Sequence, residues 1–273
     1  MKILFIGDIV GKGGRKAVNR LVPLLRERYQ CEFVIANGEN MAGGGGITQK
    51  CVKHVEPAGI DVFTGGDHIW DQRSFEAEVL DLKNVLRPAN VSEVQPGRGY
   101  GVFTPPGGGQ RVGVVSLLGR TFVNTASNCP FEAARRIVAE LRSHTPVIVV
   151  DFHAEATSEK IAMGRFLDGH VSAVLGTHTH VETADETIFP NGTAYQTDVG
   201  MVGAEESILG RAIEPVLHRF TTGMPARFTV VEKGIVLHGT VIDINPETGK
   251  AEAVTRISCR DDAAGETSHR DSE

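Results

Sequence analysis

The chain is short of three things that would assign it quickly. Cysteine is scarce: Cys31, Cys51, Cys129 and Cys259 are the whole set, and no two share a paired spacing. That excludes a disulfide framework and a cysteine-rich zinc motif, and it fits a reducing compartment with incidental thiols. Positive charge is not in excess, since the formal net charge is -6. A basic surface for duplex nucleic acid is therefore missing, and the acidic balance weighs against RNA as a partner. Long apolar runs are also absent. The opening run Lys2-Ile-Leu-Phe-Ile6 is too short for a signal peptide core or a membrane span, so a cytoplasmic protein without membrane attachment is expected. No internal repeat and no linker-like stretch divides the body. The 273 residues are read as one domain over 1–258, followed by a polar, disordered tail over 259–273. A homo-oligomer stays open.

What is present is glycine, 32 residues of it, gathered at the ends of apolar runs. Strand Lys2–Ile6 ends in Gly7-Asp8, strand Phe33–Ala36 in Asn37-Gly-Glu-Asn40, and strand Ile60–Phe63 in Gly65-Gly-Asp-His68. Helices are expected over Arg15–Tyr29, with Ala17, Val18, Leu21, Leu24 and Leu25 on the buried face, and over Thr48–Glu56. Strand, glycine turn, polar residue and helix thus recur three times, the alternation of an α/β protein with a buried sheet. Gly99–Phe103 and Arg111–Leu117 read as a hairpin around a Pro-Pro-Gly cluster. Phe131–Leu141 reads as an amphipathic helix, Val147–Val150 as a strand ending in Asp151-Phe-His153, and Glu159–Leu167 as a helix. Val171–Leu175 is a strand leading into Gly176-Thr-His-Thr-His180. Beyond it, Ala194–Thr197, Arg227–Val231 and Ile235–Ile244 read as strands, with a helix near Ile213–Phe220.

Five strand ends therefore carry candidate ligands: Asp8; Glu39 with Asn40; Asp67 with His68; His153; and His178 with His180. On extended backbone the two imidazoles of His178 and His180 would point the same way. If the strands share one sheet, all these groups open along one edge, where α/β proteins bind ligands. Carboxylates mixed with imidazoles suit zinc, manganese or iron better than calcium or magnesium. There are too many groups for one ion and about the right number for two, the arrangement of phosphatases and nucleases. Arg87 and Arg120 are candidates for holding phosphate, with a structural ion pair as the alternative. The glycine run Gly43–Gly46 is either a close-approach loop or a flexible one.

The residues Leu4-Phe-Ile-Gly-Asp-Ile-Val-Gly11, Asn37-Gly-Glu-Asn40, Gly66-Asp-His68 with Trp70-Asp71, Leu86-Arg-Pro-Ala-Asn90, Gly119-Arg-Thr-Phe122, Asp151–Lys160, Gly176–His180 and Thr197-Asp-Val-Gly200 together resemble the calcineurin-like metallophosphoesterase superfamily. Within it the chain resembles the YmdB-like bacterial 2′,3′-cyclic nucleotide phosphodiesterases, from Met1 to about Ile257. The resemblance implies a four-layer α/β/β/α sandwich and two metal ions, expected to be iron, with manganese or zinc as alternatives. It implies that Asp8, Glu39, Asn40 and His180 serve one ion. Glu39 would bridge to the second, which also takes Asp67, His153 and His178, and His68 would be the catalytic acid. The implied reaction is attack of a metal-activated hydroxide on a small cyclic nucleotide. The alternatives are a broader phosphomonoesterase or phosphodiesterase, or a non-catalytic metal-binding regulator. Three positions depart from the wider pattern: Val10 stands where the superfamily has a histidine, Glu39 where it has a bridging aspartate, and Asp67 where the branch has asparagine.

Overall fold

Two-residue alternation decides where each strand sends its side chains. In β1 (Lys2–Ile6), Ile3 and Phe5 face one way and Leu4 and Ile6 the other, and all four are fully buried. A strand with no exposed face belongs in the middle of a layered protein. The computed structural model describes residues 1–261 and bears this out. After β1 come β2 (Asp8–Ile9), helix α1 (Gly11–Tyr29), β3 (Phe33–Asn37), α2 (Gln49–Val55), β4 (Val62–Thr64), α3 (Phe75–Glu78) and β5 (Val85–Leu86). The middle of the chain supplies β6 (Tyr100–Phe103), β7 (Val112–Leu118), α4 (Pro130–Leu141), β8 (Ile148–His153), α5 (Thr157–Phe166), β9 (Ala173–Thr177), β10 (Thr187–Ile188) and β11 (Ala194–Gln196). The last quarter adds β12 (Met201–Ala204), α6 (Ile213–Thr222), β13 (Ile235–Ile244) and β14 (Ala251–Arg260).

These strands form two sheets rather than the one considered from sequence. The first runs β2-β12-β13-β1-β3-β4-β5, with β14 on the far side of β13, and the second runs β10-β11-β9-β8-β7-β6. Pairings β1/β3, β3/β4, β7/β8 and β8/β9 are parallel, so β1, β3 and β4 end together in one sheet and β7, β8 and β9 in the other. The apolar residues fall into three cores. Leu4, Ile6, Val34 and Ala36 pack with α1 and α2, Ile3, Phe5, Phe33 and Ile35 pack with Val112, Val114, Val149 and Leu175 of the other sheet, and Val115, Leu117, Val150 and Phe152 pack with α4 and α5. Helix, sheet, sheet and helix thus lie in four layers. Cutting Phe5 or Phe33 back to alanine at the central interface would cost roughly 3–5 kcal/mol.

The same alternation that fills the central core also ends it. Asn37, Thr64, Asp151 and Thr177 fall in step with Phe33 and Ile35, Val62, Val149 and Leu175, and so point into the same interface. All four are fully buried. The space between the sheets is therefore apolar along most of its length and polar at the carboxyl ends of the strands.

Several expectations need correction. Leu24 turns outward on α1, 61% exposed, and Val22 takes its place on the buried face. Pro23 lies within α1 on its exposed side. The third repeat keeps only a stub of helix, the four residues of α3. Residues 227–231 make only one isolated bridge, Val230 to Arg211, because β13 already has β1 and β12 on one side and β14 on the other. Strand β14 carries pairing through Arg260, two residues into the expected tail; the remainder of that tail, 262–273, lies outside the described residues. No helix among the described residues is long and apolar enough to cross a membrane.

Candidate active site

The polar end of the inter-sheet space is a floor of hydrogen bonds under His153. The Asp151 carboxylate accepts from Thr177 Oγ1 at 2.7 Å, from Asn37 Nδ2 at 3.2 Å and from the Thr64 hydroxyl. Burial pushes the Asp151 carboxyl up to about 6, although the His153 charge and the two hydroxyls pull the other way. Thr177 gives its one proton to Asp151, so it can only accept from His153 Nδ1, 2.8 Å away. This assigns the His153 proton to Nδ1 and leaves the Nε2 lone pair facing upward.

That lone pair meets others. His153 Nε2 is 3.0 Å from Glu39 Oε1, 3.0 Å from Asp67 Oδ1 and 3.0 Å from His178 Nδ1. His178 Nε2 lies 3.2 Å from Glu155 Oε2, a placement that favours its proton on that nitrogen and leaves Nδ1 as the acceptor. Glu39, Asp67, His153 and His178 each offer a ligand atom, and all four atoms lie within 4.8 Å of one another. Such a knot of acceptors demands positive charge at its centre. In the protein alone a proton supplies it. Burial disfavours charge on His153, but the Glu39 and Asp67 carboxylates outweigh burial and raise its pKa well above the usual value. Burial likewise opposes charge on Glu39 and Asp67, yet the facing histidines hold Glu39 below the usual carboxylate range and Asp67 far below it. A metal ion would meet the same demand, and an outward N–H held by a partner is the usual dress of a metal-binding histidine.

Asp8, Asn40 and His180 form a second group beside Glu39. The Asn40 side-chain amide lies 3.4 Å from Asp8 Oδ1, 3.3 Å from Glu39 Oε1 and 3.4 Å from His180 Nε2. Turned over, that amide would present its oxygen to the same point, an exchange the heavy-atom positions do not distinguish. His180 donates from Nδ1 to the Leu209 carbonyl at 3.2 Å, which leaves Nε2 as an acceptor facing Asp8. Burial raises the Asp8 pKa against the pull of His180 and His153.

The two histidines of His-Thr-His do not lie on extended backbone as expected. Strand β9 stops at Thr177, and His178 and His180 both take positive φ, 100° and 64°. Thr179 between them turns the chain, so the imidazoles go to different groups. Four contacts hold this uncommon backbone. Lys160 Nζ donates to the Thr177 carbonyl at 2.8 Å and to Asp198 at 2.6 Å, Asp198 accepts from Thr179 N at 3.1 Å, and Asp8 accepts from His178 N at 3.2 Å. Gly66 is needed for a related reason: a Cβ there would fall 2.1 Å from the His153 ring.

His68 stands at the edge of the two groups and is half-exposed. Its Nδ1 donates to Asp71 at 2.9 Å, and its Nε2 is 3.8 Å from Asp67 Oδ2. Burial lowers its pKa, but Glu39, Asp67 and Asp71 outweigh that and raise it overall. Asp67 faces the cluster and is not turned away from it. Val10, at the missing histidine position, is buried under Gly210.

Neither arginine singled out from sequence lines the site. Arg87 is buried and donates to the carbonyls of Pro88, Gln95 and Pro96, a structural role. The backbone N–H of Arg120 donates to Glu159 on α5, and its side chain is exposed. The cation that does line the cleft is Arg211, which donates to the carbonyls of Gly43 and Gly44 and has no carboxylate partner among the described residues. Those contacts make the glycine run a packed support: a Cβ on Gly44 would fall 2.6 Å from the Arg211 guanidinium. Asp71, Glu155, Arg211 and the Lys160–Asp198 pair were the functional positions missed. Asp71 at i+3 from His68 and Glu155 at i+2 from His153 had a spacing signal; Arg211 had none.

The calcineurin-like phosphoesterase YfkN from Bacillus subtilis shares this architecture with a TM-score of 0.59, covering 94% of this chain and 90% of that one. At 13% identity that likeness speaks to the fold alone. More similar proteins carry the names of phosphoester hydrolases. A phosphatase from Mycoplasma pneumoniae superposes with a TM-score of 0.88 at 33% identity, over 95% of this chain and 93% of its own. The 2′,3′-cyclic-nucleotide 2′-phosphodiesterase of Bacillus subtilis (strain 168) is 47% identical over 262 residues, 96% of this chain and 98% of that protein. Fold, donor set and relatives define a metal-dependent phosphoester hydrolase. Within that class the chain belongs to the YmdB-like protein family, which matches residues 4–257.

Proposed function

We propose that this enzyme hydrolyses cyclic nucleotides, with 2′,3′-cyclic nucleoside monophosphates as the preferred class, using two metal ions. The observation that carries the reading is the 47% identity, over almost the whole of both chains, to a protein named for that activity, joined to a donor set with every histidine anchored from behind. Asp8, Glu39, Asn40 and His180 would hold one ion. Glu39, Asp67, His153 and His178 would hold the other, with Glu39 shared. Carboxylate, amide and imidazole donors together suit iron, and manganese or zinc next. When bound, such ions neutralise the phosphate and acidify water at neutral pH.

The chain's own groups complete the reaction. Cleavage of the cyclic diester breaks one bond from phosphorus to a ribose oxygen, and that oxygen must take a proton. His68 supplies it from Nε2: Asp71 holds the opposite ring nitrogen at 2.9 Å, and the neighbouring carboxylates favour the protonated ring. The half-exposed ring regains its proton from solvent. The buried floor of Asp151, Thr177 and Asn37 keeps His153 in one tautomer throughout.

The test is a panel of initial rates on 2′,3′-cyclic AMP, 3′,5′-cyclic AMP and p-nitrophenyl phosphate. The reading expects the first to exceed the monoester by more than about tenfold in kcat/KM, a transition-state preference of ~1.4 kcal/mol. Equal rates on all three would favour a broader phosphoesterase. No turnover by metal-replete protein would favour a binding role.

A further inference from the structure

The cleft that begins at Glu39, Asn40 and His178 does not end with them. It continues, with a volume of about 560 Å³, along a wall made by Val181, Leu209, Val216, Phe220 and Phe228. That size suits one small ligand. The wall is apolar and largely uncovered: Phe220 is 81% exposed, Val181 56% and Leu209 46%. Elsewhere the large apolar side chains mostly go into the three cores, so a contiguous exposed group at the mouth of a site asks for an occupant. Val216 and Phe220 are four residues apart and share one face of α6. Val216 is the one buried residue of that helix, and the face turns over the cleft. The Arg219 guanidinium lies over Phe228, 5.8 Å from its ring centre. The wall is also tied to the metal end. The Leu209 carbonyl that forms part of it accepts the His180 N–H at 3.2 Å, with Leu209 in a positive-φ turn.

We propose that this apolar end seats the heterocyclic base of the nucleotide, with Phe220 and Phe228 as its stacking faces. The inference rests on the cyclic-nucleotide reading and extends it to the part of the substrate remote from phosphorus. The two ends match the two parts of a nucleotide. Phosphate belongs with the imidazoles and with Arg211, the one Arg or Lys among the lining residues. A neutral, flat ring belongs against side chains that carry no charge. Stacking on aromatic rings accepts every base, because each has a π face. The site should therefore tolerate purines and pyrimidines while rejecting esters without a ring.

Calorimetric titration of the metal-loaded protein tests this, with adenosine 3′-monophosphate and inorganic phosphate as probes. Phe220→Ala should raise the Kd for the nucleotide about tenfold, equivalent to ~1.4 kcal/mol, and leave the Kd for phosphate unchanged. Phe220→Trp should restore the nucleotide affinity. Since Phe220 is exposed, its loss leaves the cores intact. An unchanged nucleotide Kd, in Phe220→Ala and in the Phe220→Ala/Phe228→Ala double variant, overturns the proposal. So does a parallel loss for phosphate and nucleotide, which would mean the residue holds the site together. Failure of the wild-type protein to turn over cyclic nucleotides would sink the activity reading alone, because the binding comparison is decided without turnover.

Discussion

His178 and Phe220 line the same cleft and are held in opposite ways. His178 is fixed on every side, by Glu155 at one ring nitrogen, by the cluster at the other, and by Asp8 at its backbone N–H. Phe220 rests on a helix with one buried residue, Val216. The metal end grows from the polar border of the interface between two sheets, where displacement of one group unbalances several charges. The apolar end is an outgrowth between β12 and β13. On the proposed reading, chemistry that depends on sub-ångström placement would sit on the rigid end, and recognition on the end that can change without disturbing it.

The contrast is broken most forcefully at its rigid end. His153→Ala removes the imidazole that touches Glu39, Asp67 and His178 together. It should empty the second metal position and lower turnover by more than ~10²-fold, beyond the 10–100-fold typical of partners outside the ligand shell. Elemental analysis beside rates checks this, and full occupancy in the variant contradicts the assignment. His68→Ala should keep both ions and lose ~10²–10⁴-fold in kcat. The loss should shrink on an ester whose leaving group needs no proton, and equal losses on both substrates would give His68 a positioning role. Thr177→Val keeps the shape but cuts the link from Asp151 to His153 Nδ1. Metal affinity, read by competition with a chelator, should weaken ~10–100-fold while the fold persists.

Two smaller effects sharpen the contrast. Three carboxylates, from Asp8, Glu39 and Asp67, set against two divalent ions leave a net charge of +1, whereas asparagine at position 67 would leave +2. Asp67→Asn should therefore raise activity with divalent metals or move the pH optimum downward, since cluster charge drives the acidity of bound water. Identical pH profiles and metal preference would show that Asp67 does not set the charge of the site. The smallest effect lies away from the cluster. Burial pushes Glu182 up to about 7, with Arg256 opposing and Glu186 reinforcing the shift. A carboxyl raised on folding stabilises fully below its usual value of 4.5 and loses that contribution as pH climbs through about 7. Thermal melts of wild type against Glu182→Gln should diverge over that window, with the wild type losing ground as pH rises.

The rigid end was far more legible in the sequence than the exposed one. Asp8, Glu39, Asp67, His153 and His178 stand at strand ends because the chain must turn there, and glycine marks every one of those turns except the one after His153. Their convergence could not be read from one strand, since it depends on β8 and β9 lying in a second sheet across from β3 and β4. The splay of His178 and His180 was hidden because their backbone is set by Lys160 and Asp198, distant in sequence. Strand β14 escaped notice because it lies at the edge of the first sheet and most of its residues are exposed or half-buried, so it lacks a full apolar alternation. Arg227–Val231 misled for the converse reason: its residues favour strands, but the adjoining strand β13 is already paired on both sides. The wall of Leu209, Phe220 and Phe228 carries no local signal, because exposed apolar residues on a short helix look like any other amphipathic surface.

On the proposed reading, the two groups around Glu39 would hold two metal ions, and the pair, with His68, would cleave a cyclic nucleotide. The most direct test of that reading is metal analysis of protein purified without chelator, beside turnover of 2′,3′-cyclic AMP by the same sample as metal is withdrawn and restored. Two ions per chain are expected at full activity, with activity that falls as either ion is lost and returns with metal. Full activity on that substrate with one ion per chain, or with none, would contradict the reading.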